Sequence, residues 1–187
     1  MFTEEERASL ARATRTMQII VGSLAAGVVM FSAVTLMLAA QQPKPAPDVP
    51  LLTYLSIAAA PAAILAALTI PGFLVRHQRQ AILAGEPTLN VGSIGAAPLT
   101  EAEQNLGPYI AGYQTALIIR SAILEGAAFF ALMAFMLEGQ TMSLVAAGVL
   151  LLFILSGVPT RSRVEETIER QRRAVNELSK LRAIDAR

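Results

Sequence analysis

The chain has no cysteine and no tryptophan, a single histidine and only 16% charged residues. Without cysteine there is no disulfide, no thiolate metal site and no thiol nucleophile, and the redox compartment stays undetermined. The lone histidine, His77, lies beside Arg76 and Arg79 and reads as a solvated bystander. GxSxG, HExxH, P-loop and dinucleotide fingerprints are missing as well. No enzyme, no cofactor and no metal site are therefore expected. A formal net charge of +1 gives no electrostatic case for nucleic acid. Soluble domains carry roughly 25% charged residues, so the deficit of charge already points to a bilayer.

Apolar residues take the place of charge, at 54% of 187 positions. They gather in four blocks, about 17–40, 51–75, 113–137 and 142–158. Each approaches the roughly 20 residues that carry a helix across a 30 Å hydrocarbon core, the last being the shortest. Runs of this length satisfy their backbone in lipid only as helices. The expectation is an all-α integral membrane protein: a segment at 1–16, a four-transmembrane-helix bundle over 17–158, and a tail at 159–187. The opening "MFTEEERASLARATRTM" has three consecutive glutamates and leads into too long an apolar run for a signal peptide, so span one reads as a retained anchor.

Basic residues orient the spans. Arg7, Arg12 and Arg15 precede span one, Arg76 and Arg79 follow span two, and eight more, Arg161 to Arg187, follow span four. The other two connections hold only Lys44. The positive-inside rule then puts both termini and the inner loop, 76–112, in the cytoplasm, and an inner bacterial membrane is the expected location. The outer loop 41–50 has four prolines and reads as a polyproline-like strap. In the inner loop, "AGEPTLNVGSIGAAP" is turn-rich, Thr100 with Glu103 forms a capping box before a short helix, and Gly107-Pro108 restarts the chain into span three. Pro61 is expected to kink span two and Pro71-Gly72 to end it. The tail reads as an amphipathic helix, with Val164, Ile168, Val175 and Leu178 on one stripe and Glu166–Arg170 and Glu169–Arg173 as i,i+4 pairs. It could lie on headgroups, pack on the inner loop or pair with another copy.

Laying residue 16 on residue 115 aligns spans one and three, with Gly27 on Gly126 and Phe31 on Phe130 among the identities. Two parallel-repeat hairpins would produce such a match.

The stretch "LIIRSAILEGAAFFALMAF" carries the candidate site, since Arg120 and Glu125 interrupt an apolar run. Each charge at a helix centre costs roughly 2.5–3.5 kcal/mol on insertion scales and normally faces the bundle interior. Five residues place them about 140° apart around the helix and about 7.5 Å apart along it. Ser121, one turn before Glu125, could hydrogen-bond it. The ion-binding candidates are thus Glu125, Arg120 and Ser121. Gln18, Ser23, Tyr54, Ser56, Tyr113 and Gln114 are further polar groups within or beside the spans. Two readings stay open: Glu125 carries a proton or cation, with Arg120 biasing release, or the two charges only fix helix packing.

Residues 114–137, "QTALIIRSAILEGAAFFALMAFML", resemble the carboxylate-bearing helix of the ring-forming c subunit of rotary ATP synthases, and the alanine-rich "LSIAAAPAAILAAL" is similar to that family's inner helix. The resemblance implies Glu125 as the ion-binding carboxylate. The inner helix lacks the family's Gly-x-Gly-x-Gly-x-Gly, the inner loop is longer, and Pro61 and Arg120 depart from the pattern. Arg120, Ala122, Glu125 and Gly126 also fit an Arg-x-Ala-x-x-Glu-Gly form that resembles small four-span bacterial membrane proteins of unknown function. The expected function is a non-enzymatic proton- or cation-translocating or ion-sensing component. The alternative is a structural or assembly subunit of a larger membrane complex. The expected partners are the lipid bilayer and either further copies of the chain or other membrane subunits.

Overall fold

A computed structural model describes residues 2–41, 49–84 and 101–185, with side chains described for 2–41, 49–73, 106–174 and 177. Five helices follow one another: α1 Glu4–Gln41, α2 Leu51–Ala84, α3 Glu101–Glu138, α4 Thr141–Ser156 and α5 Arg161–Asp185. There is no strand among the described residues. Three helices are long and apolar enough to cross a membrane, namely α1, the Leu51–Phe73 part of α2 and the Leu106–Glu138 part of α3. At 16 residues α4 is too short to join them alone, and a fourth span arises only if it is counted with the start of α5.

The helices are longer than the apolar blocks. α1 begins at Glu4 because Thr3 and Glu6 cap it reciprocally: the Thr3 N–H donates to Glu6 Oε2 at 2.9 Å and the Glu6 N–H donates to Thr3 Oγ1 at 3.2 Å. The expected end of span two at Pro71-Gly72 is not observed, since α2 runs on to Ala84. Nor does the chain restart at Gly107-Pro108, which lies inside α3. A proline costs a helix one N–H bond and a ring clash; at Pro108, Leu106 two residues before it is fully buried in a packed cluster that helps hold the segment in place. The inner loop of 76–112 therefore contracts toward residues 85–100. That stretch, the Thr100–Glu103 capping box, the proline-rich strap, the side chain of His77 and the Val175 and Leu178 end of the tail stripe lie outside what is described.

Two compact units result, and each is built differently. The first comprises residues 1–18, 72–117 and 159–187. Its core is Leu10 of α1, Leu106 of α3 and Val164 and Ile168 of α5, all with no exposed surface, flanked by Phe2, Tyr109, Ile110 and Tyr113. Full burial of each aliphatic side chain stabilises by about 1.5–3 kcal/mol. The tail stripe thus packs on the chain itself, against α1 and the part of α3 that the sequence reading placed in the inner loop. Its polar side carries the expected Glu166–Arg170 and Glu169–Arg173 pairs and a third, Arg161–Glu165. Arg172 also reaches Glu6 across to α1 at 3.4 Å. Gln18 Nε2 donates to the carbonyl of Pro159 at 2.9 Å, fixing the start of the tail segment.

The second unit comprises residues 19–71 and 118–158. Of the three long apolar helices α3 is the most buried. Val21, Val28, Leu124, Leu132, Leu150 and Ile154 are buried, while large apolar residues such as Met30, Leu65 and Leu152 stand exposed. A surface of that kind in water would be an association liability; facing lipid it is the expected exterior.

Candidate functional site

Two carboxylates lie on α3 within this second unit, Glu125 and Glu138, and their surroundings differ. Glu138 is the last residue of α3. Its Oε1 accepts the Leu52 N–H at 2.8 Å and its Oε2 the Thr53 N–H at 2.7 Å. These N–H groups belong to the first turn of α2, where no intrahelical acceptor exists. α2 starts directly after Pro50, whose side chain offers no acceptor, so the cap has to come from elsewhere. α4 joins the same knot: Ser143 Oγ donates to Thr53 Oγ1 at 3.1 Å and lies 3.3 Å from Ser56 Oγ, which donates to the Thr53 carbonyl. Thr53, Ser56 and Ser143 are all buried. The turn that brings α4 there depends on Gly139 at φ 70°, the left-handed helix-ending conformation that glycine adopts without strain.

Glu125 lies thirteen residues earlier on α3. It is half-buried and its Oε1 lies against α1 at Gly27, where an added Cβ would stand 3.5 Å from that oxygen and 3.9 Å from Phe129 Cζ. Phe129 meets Phe31 of α1 edge-to-face, with ring centroids 5.2 Å apart. The carboxyl thus comes close to α1 at Gly27, at ordinary van der Waals distance from where a Cβ would stand. Among the described residues no hydrogen bond or ion pair engages Glu125, and the ion pairs there all belong to the first unit.

Arg120 leaves α3 in another direction. Its guanidinium lies beside Gly157, the C-cap of α4, where an added Cβ would be 3.5 Å from Arg120 Cζ and 3.2 Å from the Ile154 carbonyl oxygen. Cations are favoured at a helix C-terminus, so the position suits Arg120. Ser121 is buried, and no hydrogen bond joins it to Glu125 among the described residues. Arg120 and Glu125 therefore lead to different places, and Ser121 is bonded to neither among the described residues. The 140° between Arg120 and Glu125 accounts for their separation.

No protein-family model, curated protein or solved structure matches this chain. Of the other polar groups, Gln18 and Ser56 have the partners described above, Ser23 bonds back to the Ile20 carbonyl, and Tyr54 stands exposed. No group of three His, Cys, Asp or Glu that could hold a metal occurs among the described residues. Sequence reasoning missed Glu138, Thr53 and Ser143 as a set. The signal was present in "DVPLLT", a helix start lacking its own cap, and in the glutamate that opens the short "EGQT" connection.

Proposed function

We propose that the chain is an integral membrane protein of four spans, with both termini in the cytoplasm, and that Glu125 is the ion-carrying or ion-sensing group of a non-enzymatic membrane component. The four spans are α1, the apolar parts of α2 and α3, and the apolar block at about 142–158 that holds most of α4; the orientation follows from the basic residues. The observation that carries the functional reading is the contrast on α3. Of the two described carboxylates in the apolar unit, Glu138 is held by two backbone N–H groups and Glu125 by none. A charge at mid-membrane costs roughly 2.5–3.5 kcal/mol to insert, and at Glu125 no helix-fixing bond offsets that cost. Arg120 contributes by fixing α4 against α3 rather than by pairing with the carrier.

Proton and cation flux into liposomes holding the purified protein tests this, comparing wild type with Glu125→Gln and Glu125→Asp. Flux that survives in Asp and vanishes in Gln supports the carrier. Absence of flux in wild type sinks it and favours the second reading, a structural or assembly subunit bound to other membrane subunits or to further copies. The seating of Arg120 at Gly157 is the observation that favours this second reading, because there an intramembrane charge serves packing.

A further inference from the structure

We propose that Arg15 of α1 and Arg163 of α5 bind the phosphate of an anionic phospholipid whose acyl chains lie along the exposed apolar face of α1. The proposal rests on the membrane reading of the chain and not on the role of Glu125. Both arginines belong to the first unit, and both are exposed. The other arginines of α5 whose side chains are described are all paired: Arg161 with Glu165, Arg170 with Glu166, Arg173 with Glu169, and Arg172 with Glu6 of α1. On α1, Arg12 is engaged too, and Arg7 follows directly on the three glutamates of the first turn. Among the described residues Arg15 and Arg163 have no ion pair. Nor does α1 carry any acidic residue from Arg7 to Gln41 that could serve Arg15.

The register of the two helices brings these charges to about one level. Gln18 Nε2 on α1 donates to the Pro159 carbonyl at 2.9 Å, and Arg172 meets Glu6 at 3.4 Å, so α1 and α5 run antiparallel. Arg15 comes three residues before Gln18, and Arg163 four residues after Pro159. Ile19, one turn beyond Arg15 on the same side of α1, is 64% exposed, and Met30 and Met37 continue that face. Arg15 thus stands where an exposed charged face passes into an exposed apolar one. A guanidinium fork matches phosphate oxygens, and the adjoining apolar face suits acyl chains joined to that phosphate. A free phosphate would gain nothing from the apolar face, so the ligand is a lipid. A zwitterionic headgroup carries its own cation beside the phosphate, which favours a headgroup of net negative charge.

Native mass spectrometry of the full chain in detergent tests this, with phosphatidylglycerol and phosphatidylcholine of equal acyl length as probes. Phosphatidylglycerol is expected to be retained in preference, with its affinity lowered about fivefold in Arg15→Gln and in Arg163→Gln. Arg15→Lys should keep part of that affinity, since the charge stays. Arg170→Gln removes an equal charge from a paired position and should leave binding unchanged. Circular dichroism checks that each variant keeps its helices. Equal losses in Arg170→Gln and Arg15→Gln, or no preference for phosphatidylglycerol, would overturn the site. Displacement of the lipid by inorganic phosphate would keep an anion site and sink the lipid. Alkaline carbonate extraction from phosphatidylcholine vesicles separates this from the membrane reading. A chain released there refutes the spans, while a chain retained there without any lipid preference loses only the site.

Discussion

In the unit that holds the chain's first residues and α5, Leu10, Leu106, Val164 and Ile168 lie innermost and arginine–glutamate pairs stand outside; in the unit built on the middle of α3, hydroxyls of Thr35, Thr53, Ser56 and Ser143 are buried while Met30, Leu65 and Leu152 face outward. The difference fits the proposed membrane reading, in which one chain meets two solvents. Where the exterior is polar, removing apolar surface from water holds the helices together. Where the exterior is as apolar as the interior, that force is absent, and small residues, close packing and hydrogen bonds between helices take its place. Within the second unit the comparison narrows to Glu138 and Glu125. Both are costly on an apolar helix, yet only the first is used to tie helices together.

Ile168→Ala should have the largest effect, a loss of about 2–5 kcal/mol typical of cavity formation at a fully buried aliphatic site, measured by chemical unfolding. Leu152→Ala, at an outward-facing position of the other unit, should stay within about 0.5 kcal/mol. Equal effects would dissolve the contrast between the two exteriors. Next comes Glu138→Ala, which leaves the Leu52 and Thr53 N–H groups without an acceptor; an apparent Tm lower by about 5 °C is expected. Glu138→Gln should lose less, because an amide oxygen still accepts one bond. Glu125→Gln should leave thermal stability unchanged within about 0.5 kcal/mol while abolishing any flux. A Tm drop matching that of Glu138→Ala would make Glu125 a structural tie after all.

The smallest effect belongs to the exposed pairs of α5. Arg173 hydrogen-bonds Glu169 and attracts its charge, which holds that carboxyl below its ordinary pKa of 4.5. A depressed carboxylate contributes stability that is present above the unfolded value and lost as pH falls through the folded one. Melting of α5 between pH 7 and pH 3, followed by circular dichroism, should therefore show a slight acid-side loss that Glu169→Gln removes. High salt should reduce it too, since exposed pairs are screened.

Much of this architecture was legible in the residues. Block lengths announce apolar helices, and the Glu–Arg spacing of the tail announces its pairs. Element ends were less legible. Pro71 and Pro108 read as boundaries because proline breaks an isolated helix, but each sits inside a continuous helix, Pro108 two residues after a fully buried Leu106. The Thr3–Glu6 capping box, unread in the sequence, explains why α1 begins so far ahead of its apolar block. At the candidate site, sequence spacing was enough to set Arg120 and Glu125 on different faces.

What the sequence by itself determined is the class of chain, its helices, the polar outside of its tail and the presence of costly charges on α3. These follow from composition and from the 3.6-residue period, which act locally. Only the tertiary structure decided what each charge does. It brought Glu138 onto the orphan N–H groups of α2, seated Arg120 at the end of α4, and left Glu125 beside Gly27 of α1. Partners that are 86 residues apart in sequence, such as Leu52 and Glu138, meet through helix packing alone. A helix surface carries no local signal of which neighbour will cover it.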